Sequence, residues 1–301
     1  MDSSFNPAVP YLSEARPRRF PWVNVVLFLA TCLSTLLVGT ALSMSFYGTD
    51  LKELWSPASL FIGLPFSIAL MSILLAHEMG HYLTSRYYGI DASLPYFIPF
   101  PNIAGTMGAF IRIRSPFHHR GSLLEVGVMG PIAGFVVAVL ALVVSISQAR
   151  FVAVDPAQVD GSIRLGDPLI LKLVEYLMGM TPPTGMDIYL HPVSFAAWFG
   201  FLVTALNLLP AAQLDGGHVI YALFPGHHKR ISLGVVVVLV PLAYFYWWAW
   251  LVWIGLLVIV LRLYHPPTLD DSIPLQRRHI VLGLIGLVML VLCFMPAPIT
   301  L

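Results

Sequence analysis

The chain has 301 residues, 58% of them hydrophobic and 10% charged, with a mean hydropathy of +0.82. Soluble domains carry about 25% charged residues, so this composition excludes an ordinary water-soluble globule and indicates an integral membrane protein. A formal net charge of +1, with no basic run longer than a few residues, gives no basis for a nucleic-acid partner.

The amino terminus, "MDSSFNPAVPYLSEARPRRF", ends in Arg16, Arg18 and Arg19, ahead of an apolar run over residues 23–46. That run exceeds the signal-peptide core of about 7 to 15 residues, so it predicts an uncleaved first span, with residues 1–22 as a cytoplasmic arm. Further apolar stretches lie near 58–86, 121–148, 192–209, 231–246, 247–264 and 280–297. A helix needs about 20 residues to cross the hydrocarbon core. The predicted fold class is therefore an all-α polytopic membrane protein with about six to seven transmembrane helices, embedded over residues 23–301. The fifth and sixth stretches are divided only by an aromatic belt containing Trp247, Trp248, Trp250 and Trp253. With the amino terminus inside, twelve Lys and Arg fall in inner segments and four (Lys52, Arg150, Arg164 and Lys172) in outer ones. This positive-inside bias supports seven spans.

Two connections are long. Residues 149–191, predicted as an extracytoplasmic loop, contain "LGDPLILKLVEYLMGM", an interfacial helix between proline-rich turns. Residues 89–120 are apolar but rich in proline and glycine, and "GAFIRIRS" alternates as a strand does. Strand backbone cannot face lipid unpaired, so a small membrane-embedded β-hairpin or sheet is expected after the second helix.

The chemistry concentrates in "LLAHEMGHYLTSRYYG", residues 74–89. His77 and His81 are one helical turn apart and share a face, so both imidazoles can reach one ion, with Glu78 beside them to activate water. Counting from residue 60 at about 1.5 Å per residue, His77 lies about 25 Å along the helix, toward its inner end. A zinc site that keeps one position open needs a third protein ligand. The best candidate is Asp215 in "NLLPAAQLDGGH", where Pro210 should break the fourth span and Gly216 and Gly217 allow close backbone approach. The second and fourth spans run in the same predicted direction, which brings both motifs to one depth. The two cysteines, Cys32 and Cys293, sit in apolar runs and read as buried hydrophobes.

HEMGH on an early span, with N-x-x-P-x-x-x-L-D-G-G on a later one, resembles the site-2 protease family of intramembrane zinc metalloproteases, over most of the chain. "GTMGAFIRIRSP" followed by "GVMGPIAG" is similar to members without an appended PDZ or CBS domain. The resemblance implies one Zn2+ held by His77, His81 and Asp215, Glu78 as general base, and Asn207 helping to hold substrate or the developing oxyanion. It implies regulated cleavage of a transmembrane segment of a membrane-protein substrate. The chain shows no recognisable organellar transit peptide, so a bacterial cytoplasmic membrane is the expected location. Residues 104–114 would correspond to an edge strand that pairs with unwound substrate. Where many relatives have asparagine after Gly-Pro-x-x, this chain has Gly134, so that role is not carried over; close helix packing through Gly130 and Gly134 is the reading here.

A rival reading is a membrane metal or haem carrier that uses the histidine pair as non-catalytic ligands. A peptidase of the CaaX-processing kind would share the first motif but not LDGG. Outside these motifs, His118, His119, His227 and His228 read as solvated, and His191, His265 and His279 as interfacial. His218 reads as polar packing, Glu125 as a helix amino-terminal carboxylate. Arg112 and Arg114 read as topogenic charge, or as contacts for a substrate's acidic flank.

Overall fold

The computed structural model describes residues 20–50, 57–153 and 164–300; the arm expected over residues 1–22 lies almost wholly outside them. Helices α1 (Trp22–Tyr47), α2 (Pro57–Tyr87) and α3 (Arg120–Ser145) are followed by α4 (Leu169–Leu177), α5 (Pro192–Leu208) and α6 (Asp215–Leu223). Then come α7 (His228–Phe245), α8 (Trp250–Gly255) and α9 (Arg277–Cys293). Each predicted apolar stretch holds a helix, and the fifth and sixth are separate, divided by a turn over residues 246–249. Among the described residues four segments are long and apolar enough to cross a membrane: Trp22–Tyr47, Ser59–Tyr87, Arg120–Gln148 and Pro225–Phe245. Pro192–Leu208 and Trp250–Val260 are shorter apolar helices.

The core lies between α2, α3 and α5, where Phe66, Leu70, Ala138, Leu142, Trp198 and Phe201 are all fully buried. α1 packs along α2, joined by a 2.8 Å hydrogen bond between the Thr35 and Ser67 hydroxyls. Satisfying polar groups pairwise in this way removes the penalty of burying them. α5 stops at Leu208 because Leu209 precedes Pro210: its backbone turns extended (ψ 128°), as the proline ring requires. Ala212, left-handed at φ 53°, turns the chain toward α6 and is held at both polar groups. Its N–H donates to Ser232 Oγ at 3.1 Å, and its carbonyl accepts from His228 Nε2 at 3.0 Å.

Among the described residues, three two-stranded antiparallel ladders decorate the bundle: β1 (Tyr96–Pro99) with β2 (Thr106–Phe110), β3 (Arg150–Ala153) with β5 (Met186–Tyr189), and β4 (Arg164–Leu165) with β6 (Ile299–Thr300). The β1–β2 pairing occurs where a hairpin was expected, but the regular strand ends at Phe110 instead of continuing through "IRIRS". Pro95 interrupts the ladder there, since it has no N–H to donate. Beyond it the pairing continues only as the Ala92–Ile113 bridge and the bonds Ser93 N–H to Arg112 O and Arg114 N–H to Asp91 O.

Several polar and aromatic residues sit deeper than expected. Trp250 is buried and donates Nε1–H to Pro296 O at 2.8 Å, whereas Trp248 is exposed, so the aromatic cluster is only partly a belt. His228, His265 and His279 are buried, each beside a polar acceptor, where solvated or interfacial positions were expected. Glu125 is no helix-terminal carboxylate: it lies in the second turn of α3 and accepts from Tyr88 Oη at 2.7 Å. Arg278 Nε and His279 Nε2 lie 3.2 and 3.1 Å from its other oxygen, so it joins the ends of α2, α3 and α9.

The helix expected within the long loop is α4, which buries Ile170, Leu171 and Val174 against the end of the bundle away from the HEMGH turn. Glu175 on α4 is 8% exposed, and burial, followed by the neighbouring Asp167 carboxylate, pushes its pKa up to about 7 from an ordinary 4.5. The folded state therefore favours the protonated form. The corresponding stability is full below pH 4.5 and is lost as pH rises through about 7. Thermal melts in detergent across that window should show the wild type losing stability relative to Glu175→Gln, whose profile should be flatter.

Candidate metal centre

α2 remains helical through the HEMGH turn, so His77 and His81, at i and i+4, project from one face. Both are buried, as is Glu78. The third group arrives from another part of the chain. After the break at Pro210, α6 begins at Asp215, which places its carboxylate in the first turn of a new helix. Only glycine permits that start: a Cβ on Gly216 would lie 2.0 Å from Leu208 O, and one on Gly217 2.4 Å from Ala212 O.

The three side chains converge. His77 Nε2 and His81 Nε2 are 3.1 Å apart, and each is 3.3 Å from Asp215 Oδ2. A tetrahedral zinc with bonds of about 2.0–2.1 Å has ligand atoms about 3.3 Å apart, so this triangle has the size of one face of such a site. The donor chemistry fits as well. His81 Nδ1 lies 2.7 Å from Val126 O, and a carbonyl only accepts, so Nδ1 carries the ring proton and Nε2 of the neutral imidazole is bare. A bare nitrogen against a carboxylate oxygen and a second imidazole repels both unless a cation or proton lies between them. Among the described residues this is the one group of three or more such side chains close enough to hold a metal ion.

Asn207, near the end of α5, places Nδ2 3.3 Å from His77 Nε2, so its amide borders the same point. The Glu78 carboxylate neighbours His77, His81 and Asp215, and it faces the backbone N–H of Ile111. Ile111 follows β2 directly, which brings the hairpin against the centre. All five residues singled out in the sequence therefore meet in one place. His218 does not join them: it bonds through Nδ1 to His265 Nε2 at 2.7 Å, in line with polar packing. The groups that sequence reasoning missed, Val126 O and Ile111 N–H, belong to the backbone and carry no signal in residue type.

Two imidazoles, a carboxylate and an adjacent glutamate, held among apolar helices, are the features of a membrane-bound zinc metallopeptidase class. The profile described as Peptidase family M50 matches residues 65–249, more than half of the chain. The chain belongs to this family, the site-2 protease family of zinc metallopeptidases. It is similar to the probable zinc metalloprotease EGY2, chloroplastic, of Arabidopsis thaliana, at 29% identity over 78% of this chain and 42% of that protein. The corresponding protein of Oryza sativa subsp. indica is 29% identical over 75% of this chain and 41% of its own length. The probable zinc metalloprotease EGY1, chloroplastic, of Arabidopsis thaliana is 30% identical over 77% and 43%. The chain thus spans about two fifths of the length of these relatives. No solved structure matches it.

Purified protein is expected to carry stoichiometric zinc. Asp215→Ala and His81→Ala should each lower zinc affinity by at least about tenfold, as measured by metal analysis and competition with a chromogenic chelator.

Proposed function

We propose that this chain is an intramembrane zinc metalloendopeptidase that cleaves a peptide bond within a transmembrane segment of another membrane protein, as a step of regulated proteolysis. The observation that carries this reading is the convergence of His77, His81 and Asp215 at 3.1–3.3 Å beside buried Glu78. It agrees with the description of the relatives as probable zinc metalloproteases.

In this reading His77, His81 and Asp215 hold the ion, which when bound supplies Lewis acidity toward the scissile carbonyl and toward a water. Glu78 acts as general base: it takes a proton from the attacking water and passes it to the departing amine as the C–N bond breaks. Its burial keeps competing water from the carboxylate. Asn207 donates its amide N–H toward the oxygen on which negative charge develops. A helical substrate shields its own carbonyls by hydrogen bonding, so the segment must unwind before attack. β2 pairs only with β1 among the described residues, and its remaining edge can receive an unwound segment as an added strand. Ile111, at the end of that edge, leads directly to Glu78.

The reading places seven crossings in the bilayer, the β1–β2 hairpin within it, and the amino terminus on the cytoplasmic side of a bacterial membrane. The count of twelve basic residues against four in the sequence supports the orientation and the number of crossings. A metal or haem carrier would have no task for Glu78 and Asn207 beside its ligands.

The test is cleavage of a single-span membrane substrate by purified protein in proteoliposomes. Glu78→Gln is expected to retain zinc yet lose about 10²- to 10⁴-fold in rate, and chelation should abolish cleavage in the wild type. Cleavage that persists through both treatments rejects the reading.

A further inference from the structure

α3 supplies no metal donor, yet it is the helix against which the donors rest. We propose that Gly130 is a positioning residue for His81, working with the Val126 carbonyl, and that Gly134 gives lesser support to His77. This inference rests on the zinc site proposed above and assigns the part of the fold that sets its geometry.

Residues 126, 130 and 134 are spaced by four and lie along one face of α3, opposite the His77 and His81 face of α2. A Cβ on Gly130 would lie 2.1 Å from His81 Nε2 and 2.4 Å from both Cδ2 and Cε1. The imidazole therefore rests on the Gly130 backbone, in the space any side chain would fill. The ring has no room to retreat along its own helix, because a Cβ on Gly80 would lie 2.4 Å from Met129 O: the two backbones already touch one residue away. Swinging outward would break the 2.7 Å bond from His81 Nδ1 to Val126 O. A carbonyl that holds one nitrogen and a glycine that makes room for the other leave one pose, with Nε2 aimed at His77 and Asp215.

Contacts elsewhere on α3 are graded. A Cβ on Gly134 would meet His77 Cβ at 3.1 Å and Nδ1 at 3.3 Å, which a shift of a few tenths of an ångström between the two helices relieves. One on Gly127 would lie 2.9 Å from His218 Cβ and 3.1 Å from Asp215 O, so the helix that brings the third donor also seats on a glycine of α3. The contrasting case is Gly39, whose Cβ would lie 2.7 Å from Gly63 O and Phe66 at the α1–α2 contact, away from any donor. There glycine serves helix packing alone.

The experiment uses the full chain in detergent, stripped of metal, and titrates it with zinc against a competing chelator. Cobalt(II) serves as a spectroscopic probe of the site, and apo-protein melts report folding. Gly130→Ala should weaken zinc about 100-fold and change the visible cobalt spectrum, and Gly134→Ala should weaken it about tenfold. Gly39→Ala should lower the melting temperature and leave zinc affinity and the cobalt spectrum unchanged. Failure of the wild type to bind zinc, or unaltered binding by His81→Ala, would reject the zinc site itself. If those controls behave as expected, wild-type affinity in Gly130→Ala overturns the present inference alone. So does an equal loss in Gly39→Ala at equal loss of stability. Should Gly130→Ala not fold, Gly134→Ala decides: wild-type affinity and spectrum there overturn the proposal.

Discussion

The structure depends on keeping two imidazoles and two carboxylates together, out of water, among helices whose other side chains are mostly apolar. A single ionised side chain at the centre of a spanning helix costs about 2.5 to 3.5 kcal/mol, so a cluster of four persists only where each group meets a partner. His81 meets Val126 O and Asp215, His77 meets Asp215 and Asn207, and Glu78 faces the Ile111 N–H. The break at Pro210, the glycine contacts of α6 and the glycine face of α3 serve that one requirement. Each lets polar groups approach more closely than ordinary helix packing allows.

The surrounding polar contacts extend the same logic. Glu125 ties Tyr88 at the end of α2 to Arg278 and His279 at the start of α9, so the helix ends nearest the centre are joined by hydrogen-bonded charge. The segment after α8 returns beneath α6: His265 bonds to His218, and the N–H groups of Leu269 and Asp270 donate to Phe117 O and His118 O. Tyr221 stacks on His265 with ring centroids 4.4 Å apart and donates to Asp271 at 2.7 Å. The contacts of His218 and Tyr221 tie α6, and with it Asp215, to this segment, which is itself tied to the residues before α3. A metal centre shared between helices distant in sequence needs such bracing, because a displacement of a few tenths of an ångström changes the fit to the ion.

The β1–β2 hairpin shows how an apolar but non-helical segment is accommodated. Its prolines and glycines prevent a helix, and its backbone is satisfied by pairing with itself and against α1. Asn24 Nδ2 donates to Leu94 O and Pro95 O, both at 2.9 Å, and Ser34 Oγ donates to Gly105 O at 2.7 Å. Asn102 closes the turn by accepting from the Ala104 and Thr106 N–H groups. These contacts fix the hairpin turn and its packing on α1, and among the described residues β2 pairs only with β1.

Much of this was legible along the chain. Apolar runs of helical length located the seven stretches because hydrophobic length is local, and Pro210 marked the end of α5 because proline restricts the residue before it whatever surrounds it. HEMGH placed two imidazoles side by side because i and i+4 share a helix face, and Asp215, sought as a third donor near glycines that permit close approach, lies within 3.3 Å of both. Residue types alone did not reveal that Val126 O and Ile111 N–H would face the site, since every residue carries the same backbone groups and only the packing of α2, α3 and β2 selects among them. The burial of Trp250, His228, His265 and His279, the role of Glu125 as a junction, and the early end of the strand at Phe110 were likewise decided by tertiary structure. Burial is a property of what packs against a residue, and those neighbours are brought together only by the fold.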